Sequence, residues 1–383
     1  MKKRRKNSFI NVYENLRKKS NNKVFNENFF TTKKEKMITK QEINELKEKL
    51  RETKKPLFLF DDDADGVTSF VMMYKLVGDG KGICVKGKPE VEASYLRKVT
   101  EFSPDKVFVL DKPLIEQEFL DGISQEVIWL DHHPLQDNKG VKYYNPRKND
   151  AEDNRPTSYW AYQICKDEVP EALWLAGIGV VGDWSLALKE ELCTKYPELL
   201  PCDVESAPEA LFNTKLGELV KIIDFNLKGT TTEVMKSIKI LTRISNPYEI
   251  LNQETAQGKY LYKKFLKINE KYEALKKSVE ITTEPIIFFK YTDNKLAISS
   301  MLSNELLHEH PDKIIIVARE KSNEIMLSMR STNINIVPLL NKALEGINGY
   351  GGGHDNACGA CIKKENFEDF MNNFKEELKN KRK

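Results

Sequence analysis

Three short apolar runs in the first half of the chain each end in an aspartate: LFLFD (57–61), KVFVLD (106–111) and EVIWLD (126–131). Continuous apolar runs of this length, without polar alternation, are what strands buried on both faces require. Between the first two lies SFVMMYKLV (69–77), which reads as a helix. PTSYWAYQICK and VPEALWLAGIGVVGDW read as helices further on. Buried strands joined by helical crossovers predict an α/β fold, a mostly parallel sheet with helices on both faces. In such a sheet the carboxyl ends of the strands line the ligand crevice. Asp61, Asp111 and Asp131 are therefore expected to converge on one rim.

The rest of the chain divides around that unit. Residues 1–37 are polar and rich in Asn and Lys, and read as a flexible basic arm. Residues 38–250 form the expected catalytic domain, opening on a helix over 38–54 with Thr39 as its cap and Glu42 completing a capping box. Residues 251–280 read as a long charged connecting helix. Residues 281–383 form a smaller α/β domain, with strands at 285–291 and 313–320 around the helix SSMLSNELLHEH. An active-site cleft is expected between the two domains. No apolar run approaches the ~20 residues that span a bilayer. The basic start MKKRRKNSF is not followed by the apolar stretch of a secretory signal. The six cysteines are scattered apart from Cys358 and Cys361, which argues against a disulfide framework and for a reducing, cytoplasmic setting. The spacing of Cys193 and Cys202 does not suit zinc ligation alongside that pair. Tyr159, Trp160 and Tyr162 fall at helical spacing and are expected in the core.

The most demanding stretch is FLFDDDADGVTS (58–69). In extended chain Asp61, Asp63 and Asp65 point to one side and Asp62 to the other, because side-chain direction alternates along a strand. Gly66 then permits a turn into a helix starting near Thr68. Asp131-His132-His133 adds two imidazoles at the same rim, and Asp183 adds an acid at the end of a predicted helix. Taken alone, DDDAD is most often a solvated loop. Partly buried together, such acids are tolerable only when neutralised. An oxygen-rich set with imidazole suits Mn²⁺, with Mg²⁺ or Zn²⁺ as alternatives. So many acids suggest two ions, which in hydrolases sit ~3.5–4 Å apart and clamp a phosphate.

These motifs carry a resemblance. Asp61-x-Asp63-x-Asp65-Gly66, Asp111, Asp131-His132-His133 and Asp183 resemble, in order and spacing, the DHH phosphoesterase superfamily. AISSMLSNELL, SMRST and GGGHDNACGA resemble its DHH-associated domain, so the likeness runs over roughly residues 55–375. The acidic first position is more similar to RecJ-type single-strand exonucleases than to nanoRNases, which place His there. DDDADGVTS and the NPRKND…RPTSYWAYQI stretch are similar to archaeal RecJ-like proteins, some of which associate with the replication complex GINS.

The resemblance implies one metal ion held by Asp61, Asp63 and Asp111, and a second held by Asp65, Asp111, His132 and Asp183. Asp131 would orient a histidine, and His133 would lie near the scissile phosphate. Arg330 and His354 would bind a substrate phosphate, helped by backbone N–H groups of Gly351, Gly352 and Gly353 arranged as an anion nest, and less strongly by Ser331. The activity implied is Mn²⁺-dependent hydrolysis of single-stranded nucleic acid, with 5′→3′ polarity coming from the resemblance alone. Two alternatives stand beside it. One is a phosphodiesterase of short oligonucleotides or cyclic dinucleotides. The other is a non-catalytic replication scaffold that binds GINS, which the intact ligand set disfavours.

Overall fold

A computed structural model describes residues 38–293 and 296–381. The basic arm expected at 1–37 lies outside the described residues. The described chain falls into two units, one running up to Glu270 and the other beginning at Lys271. No helix among the described residues is long and apolar enough to cross a membrane.

The first unit is built on a five-stranded parallel sheet. Its strands are β1 (Pro56–Asp61), β2 (Lys81–Val85), β4 (Lys106–Leu110), β6 (Glu126–Leu130) and β7 (Val141–Tyr144), in the order β2-β1-β4-β6-β7. Two short strands, β3 (Glu90–Val91) and β5 (Leu114–Ile115), pair separately. The three aspartate-ending runs thus form the central strands. Each is buried on both faces because the period of two sends alternate side chains to opposite helix layers. Leu57, Leu59, Val107, Val109, Val127 and Trp129 pack into one layer. On the other side Phe58 stacks on Phe108 at 5.2 Å and Phe60 on Phe70 at 4.4 Å. Burial of each such side chain stabilises by about 1.5–3 kcal/mol.

The helix expected at 69–77 begins earlier, at Ala64, and runs to Val77. Asp63 is the reason: its side chain accepts the Gly66 N–H at 2.9 Å, which makes it an N-cap. The acidic stretch therefore does not continue as extended chain, and Asp65 leaves from the first helical turn instead of alternating with Asp63. Gly66 is forced by a close approach, since a Cβ there would lie 2.7 Å from the Asp61 nitrogen. The expected helices at Thr157–Cys165 and Ala172–Gly182 are present, and Asp183 caps the second. Trp160 and Tyr162 are buried, as the sequence suggested, whereas Tyr159 is only half-buried. The first helix runs from Lys40 to Glu52 with the Thr39–Glu42 capping box in place. Cys193 and Cys202 are joined as a disulfide with their Cα atoms 5.1 Å apart, a pairing the scattered cysteines did not suggest. It closes one short local loop between neighbours nine residues apart, which cysteine counting does not detect.

The long connecting helix spans Ala256–Lys277. The second unit carries a mixed sheet in the order β11-β12-β10-β9-β8. Its strands are β8 (Ile286–Thr292), β9 (Ile314–Lys321), β10 (Glu324–Arg330), β11 (Gly349–His354) and β12 (Ala357–Lys363). β8 and β9 are parallel, with the helix Ser299–Glu309 as their crossover, and the other pairings are antiparallel. The glycine cluster is itself a strand, not a nest: Gly351, Gly352 and Gly353 pair with Ala360, Gly359 and Cys358. The two backbones run so close that a Cβ at Gly351 would lie 2.9 Å from the Gly359 oxygen. Cys358 and Cys361 are buried thiols in β12 and join no candidate metal group among the described residues.

Candidate metal centre

Four chain segments deliver the acids and imidazoles to the carboxyl edge of the parallel sheet. Asp61 ends β1, Asp111 and Asp131 follow β4 and β6 by one residue, and Asp183 caps the Ala172–Gly182 helix. Three overlapping groups have ligand atoms within 4.8 Å of one another: Asp61 with Asp63 and Asp111, Asp65 with His132 and Asp183, and Asp111 with His132 and His133. The first group holds the acids expected around one ion. The second holds three of the four residues expected around the other. Asp111 Oδ1 lies 3.5 Å from His132 Nε2, which links the two groups.

Electrostatics within the cluster disfavour ionised carboxylates. Burial raises the Asp61 carboxyl, although the Lys112 ammonium opposes the rise. Asp63 is open to solvent on one side, yet desolvation of its carboxyl and the charges of Asp61 and Asp65 push it up to about 7. Asp111 and Asp183 are held well above the usual carboxylate range, first by burial and then by the charges of Asp65 and Asp63. Divalent cations would relieve this stress. The histidine is prepared for the same role. His132 Nδ1 faces the Asn154 carbonyl at 3.2 Å, which fixes its proton there and leaves the Nε2 lone pair towards Asp111 and Asp183, at 3.5 and 3.6 Å. Burial also lowers its affinity for a second proton. The donor set fits hard or borderline dications.

Two residues are used differently. Asp131 is fully buried, and its carboxylate is spent on neighbours. Its Oδ1 pairs with His133 Nδ1 at 2.7 Å. Its Oδ2 accepts from the His133 backbone, Tyr143 and Asn145. Burial disfavours a charged His133 ring, but the Asp131 hydrogen bond and the surrounding acids outweigh it and raise the ring to about 9.

The sequence did not reveal the residues that hold the acids. Lys112 is completely buried and donates to Asp61 Oδ1 at 2.9 Å and to the Lys88 carbonyl at 2.6 Å. The Asp62 N–H also binds Asp61 Oδ1, leaving the second oxygen of Asp61 for a ligand role. Both oxygens of Asp65 accept backbone N–H groups, from Thr157 and Ser158, at 2.8 Å each. The Thr157 hydroxyl reaches Asp111 Oδ1 at 3.1 Å. Asp111 itself sits at φ 57°, a left-handed conformation that marks local strain. The position of Lys112, directly after a strand-ending acid, was the one available signal. The partners on the Thr157 helix had none.

The second unit holds a separate hollow of about 440 Å³. Arg319, Arg330, Gly352, Gly353 and His354 line it, together with Ser299 and Ser300. Arg330 is anchored through Nε to Asn304 at 2.6 Å and through Nη1 to the Met329 carbonyl. Arg319, which nothing in the sequence singled out, brings a second guanidinium. Ser331 and Gly351 do not line this hollow. The Ser331 hydroxyl instead accepts the Ile334 N–H and closes a turn.

Comparison with known proteins shows what the chain is similar to. The DHHA1 domain description matches residues 282–380. That stretch lies within the second unit. Among solved structures, RecJ of Thermus thermophilus in complex with Mn²⁺ aligns with a TM-score of 0.64 at 18% identity, over 87% of this chain and 53% of that one. The chain thus spans about half the length of that RecJ, which has also been solved with Mg²⁺. An exonuclease RecJ bound to manganese aligns with a TM-score of 0.56 at 16% identity, over 87% of this chain and 92% of that one. The DHH domain of a protein described as a member of a ribosomal protein family aligns with a TM-score of 0.61 at 16% identity, over 97% of both chains. No curated protein matches the sequence. The fold of the chain is that of the RecJ structures, and its residues 282–380 are similar to the DHHA1 domain.

Proposed function

We propose that the protein is a metal-dependent phosphodiesterase acting as a RecJ-like single-strand exonuclease that releases nucleotides, with 5′→3′ polarity. The observation that carries this reading is the convergence of Asp61, Asp63, Asp65, Asp111, His132 and Asp183 in overlapping groups, in which burial destabilises the carboxylates of Asp61, Asp63, Asp111 and Asp183. Asp61, Asp63 and Asp111 would hold one ion, and Asp65, His132 and Asp183 the other with Asp111 between them. Mn²⁺ is the ion of choice, and Mg²⁺ is the alternative. When bound, such ions neutralise the acids, polarise a phosphoryl group and make water nucleophilic near neutral pH.

The chain's own residues do the rest. Asp131 holds the His133 ring through Nδ1, so Nε2 is left to donate to a phosphate oxygen. Lys112 fixes Asp61 in one orientation. Arg330 and Arg319 offer planar forks that match phosphate oxygens, with His354 beside them. The partners would be single-stranded nucleic acid or short oligonucleotides, with GINS-like replication proteins as the protein assembly.

The test is a time course with Mn²⁺ on end-labelled single-stranded DNA and RNA of several lengths. A ladder receding from the 5′ end supports the proposal. Cleavage restricted to dinucleotides or cyclic dinucleotides replaces it with the short-substrate reading. Absence of any hydrolysis with Mn²⁺ or Mg²⁺ overturns it.

A further inference from the structure

The helix that delivers Asp183 ends in an unusual way. Its C-cap is Asp183, and the next residue, Trp184, has φ 60°. The Trp184 N–H reaches the Val181 carbonyl at 3.1 Å, and the Ser185 N–H reaches the Val180 carbonyl at 2.9 Å. These two bonds make a Schellman motif, with Trp184 at the left-handed position that glycine ordinarily fills. A bulky aromatic residue is strained there, because its Cβ crowds the backbone. Burial does not compensate for the strain, since Trp184 is 39% exposed. The other three tryptophans, Trp129, Trp160 and Trp174, are at most 1% exposed. Trp184 meets Phe212 edge-on at 6.3 Å and 71°, a contact that steadies the indole without covering it.

A strained, exposed aromatic residue one position from a candidate metal ligand calls for a use outside the fold. We infer that Trp184 is a stacking platform for the nucleobase next to the phosphodiester held at the metal centre. The inference rests on the phosphodiesterase reading for the placement of its ligand. An indole face suits any base, because every base has a π-face, so the platform adds affinity without sequence preference.

Trp184 is the one exposed tryptophan of the chain, so its emission can be followed directly. Titration of wild type with deoxyadenosine 5′-monophosphate in Mg²⁺ should quench the red-shifted emission to saturation, and deoxyribose 5-phosphate should not. Emission that is unchanged by the nucleotide, or quenched equally by both compounds, overturns the inference. In hydrolysis, oligonucleotides carrying a base at the cleaved terminus are compared with the same oligonucleotides carrying an abasic tetrahydrofuran there. W184A should reduce the preference for the base on the order of 10–100-fold, and W184F should keep most of it. An unchanged preference in W184A also overturns the platform. W184G supplies the structural control. It should melt at or above the wild-type temperature, because glycine relieves the strained position, and a marked fall would identify Trp184 as a fold-holding residue instead. Saturable, base-dependent quenching without hydrolysis would sink the phosphodiesterase reading and leave the platform standing. Hydrolysis with no dependence on the base would sink the platform alone.

Discussion

Asp65 separates two roles that an acidic cluster can hide. Its Oδ2 accepts the Thr157 N–H and its Oδ1 the Ser158 N–H, at 2.8 Å each, and the residue is 2% exposed. Those amides open the Thr157–Cys165 helix, whose N-cap is Pro156 and supplies no side-chain cap. Asp65 therefore caps a helix more than ninety residues away. Asp65→Ala would leave two buried donors unpaired, at about 1–3 kcal/mol each. Relief of repulsion with the neighbouring acids offsets part of this, so the net loss should be on the order of 2–4 kcal/mol. For a unit of this size that lowers the melting temperature by on the order of 5–15 °C. Asp183→Ala is the contrast. Its side chain is 37% exposed and its carboxyl is already destabilised by its surroundings. Removing it should leave stability in chelator unchanged or raised. Thermal unfolding followed by far-UV circular dichroism in EDTA reads both variants. An Asp65→Ala protein that melts no lower than Asp183→Ala would refute the capping argument.

Asp111→Ala should abolish Mn²⁺-supported hydrolysis while the far-UV spectrum is retained, and residual activity near wild type would remove its linking role. Lys112→Met strips the buried partner from Asp61 and should destabilise the metal-free protein by about 3–5 kcal/mol. That deficit should shrink when Mn²⁺ takes up the charge, and a deficit insensitive to Mn²⁺ would place Lys112 outside the metal centre. The metal-free protein should also lose stability as pH rises through the neutral range towards about 9. Asp61, Asp63, Asp111 and Asp183 all have raised folded-state affinities for protons, and so does His133, up to about 9. Through these groups the folded state binds more protons than the unfolded chain above the ordinary carboxylate range, where surface carboxylates with lowered proton affinity, such as Glu168 and Glu126, no longer titrate. His132, shifted the other way, opposes them in part. Saturating Mn²⁺ should flatten or invert the slope, because the ion displaces those protons. Melting temperatures measured against pH in EDTA and in Mn²⁺ would show parallel curves if the cluster binds no metal.

Much of this architecture was legible because burial writes itself into sequence. LFLF, KVFVL and EVIWL are apolar throughout, and a strand covered on both faces leaves little other choice. Their terminal acids announced the rim. What could not be read depends on contacts between distant segments. Nothing local in SFVMMY or PTSYW says that Asp65 will cap the helix at Thr157. DKP places Lys112 beside a strand-ending acid but does not say that it will reach Asp61, fifty-one residues earlier. The helix start differs from its expected place for another reason. DDDADG can continue as a strand on alternation alone, whereas Asp63 is a strong N-cap residue and ends the strand at once. GYGGGH suggests a flexible turn or a nest because glycine permits one. Its actual role appears only beside Gly359 and Ala360, where two strands approach too closely for side chains.

Fixing the acids through backbone and side-chain donors has a consequence for how ions enter. Asp61 is pinned by Lys112, Asp63 by the Gly66 amide, Asp65 by two amides, and Asp111 by the Thr157 hydroxyl. These four are ordered before any ion arrives, so binding spends little free energy on immobilising them. Asp183 differs: its neighbour is His132 Nε2 at 3.6 Å, and it stands at the end of a helix beside a strained residue. Rearrangement on metal binding should therefore concentrate at Asp183 and the turn through Trp184. The order of events follows from that asymmetry. Both groups already bring their ligand atoms within 4.8 Å of one another, but the second depends on Asp183, which faces His132 Nε2 at 3.6 Å and not a donor at hydrogen-bond distance. The first ion should enter the former with little change in Trp184 emission, and the second should produce most of that change. A single emission change, saturating with the first equivalent of a spectroscopically silent dication such as Mg²⁺, would contradict this order.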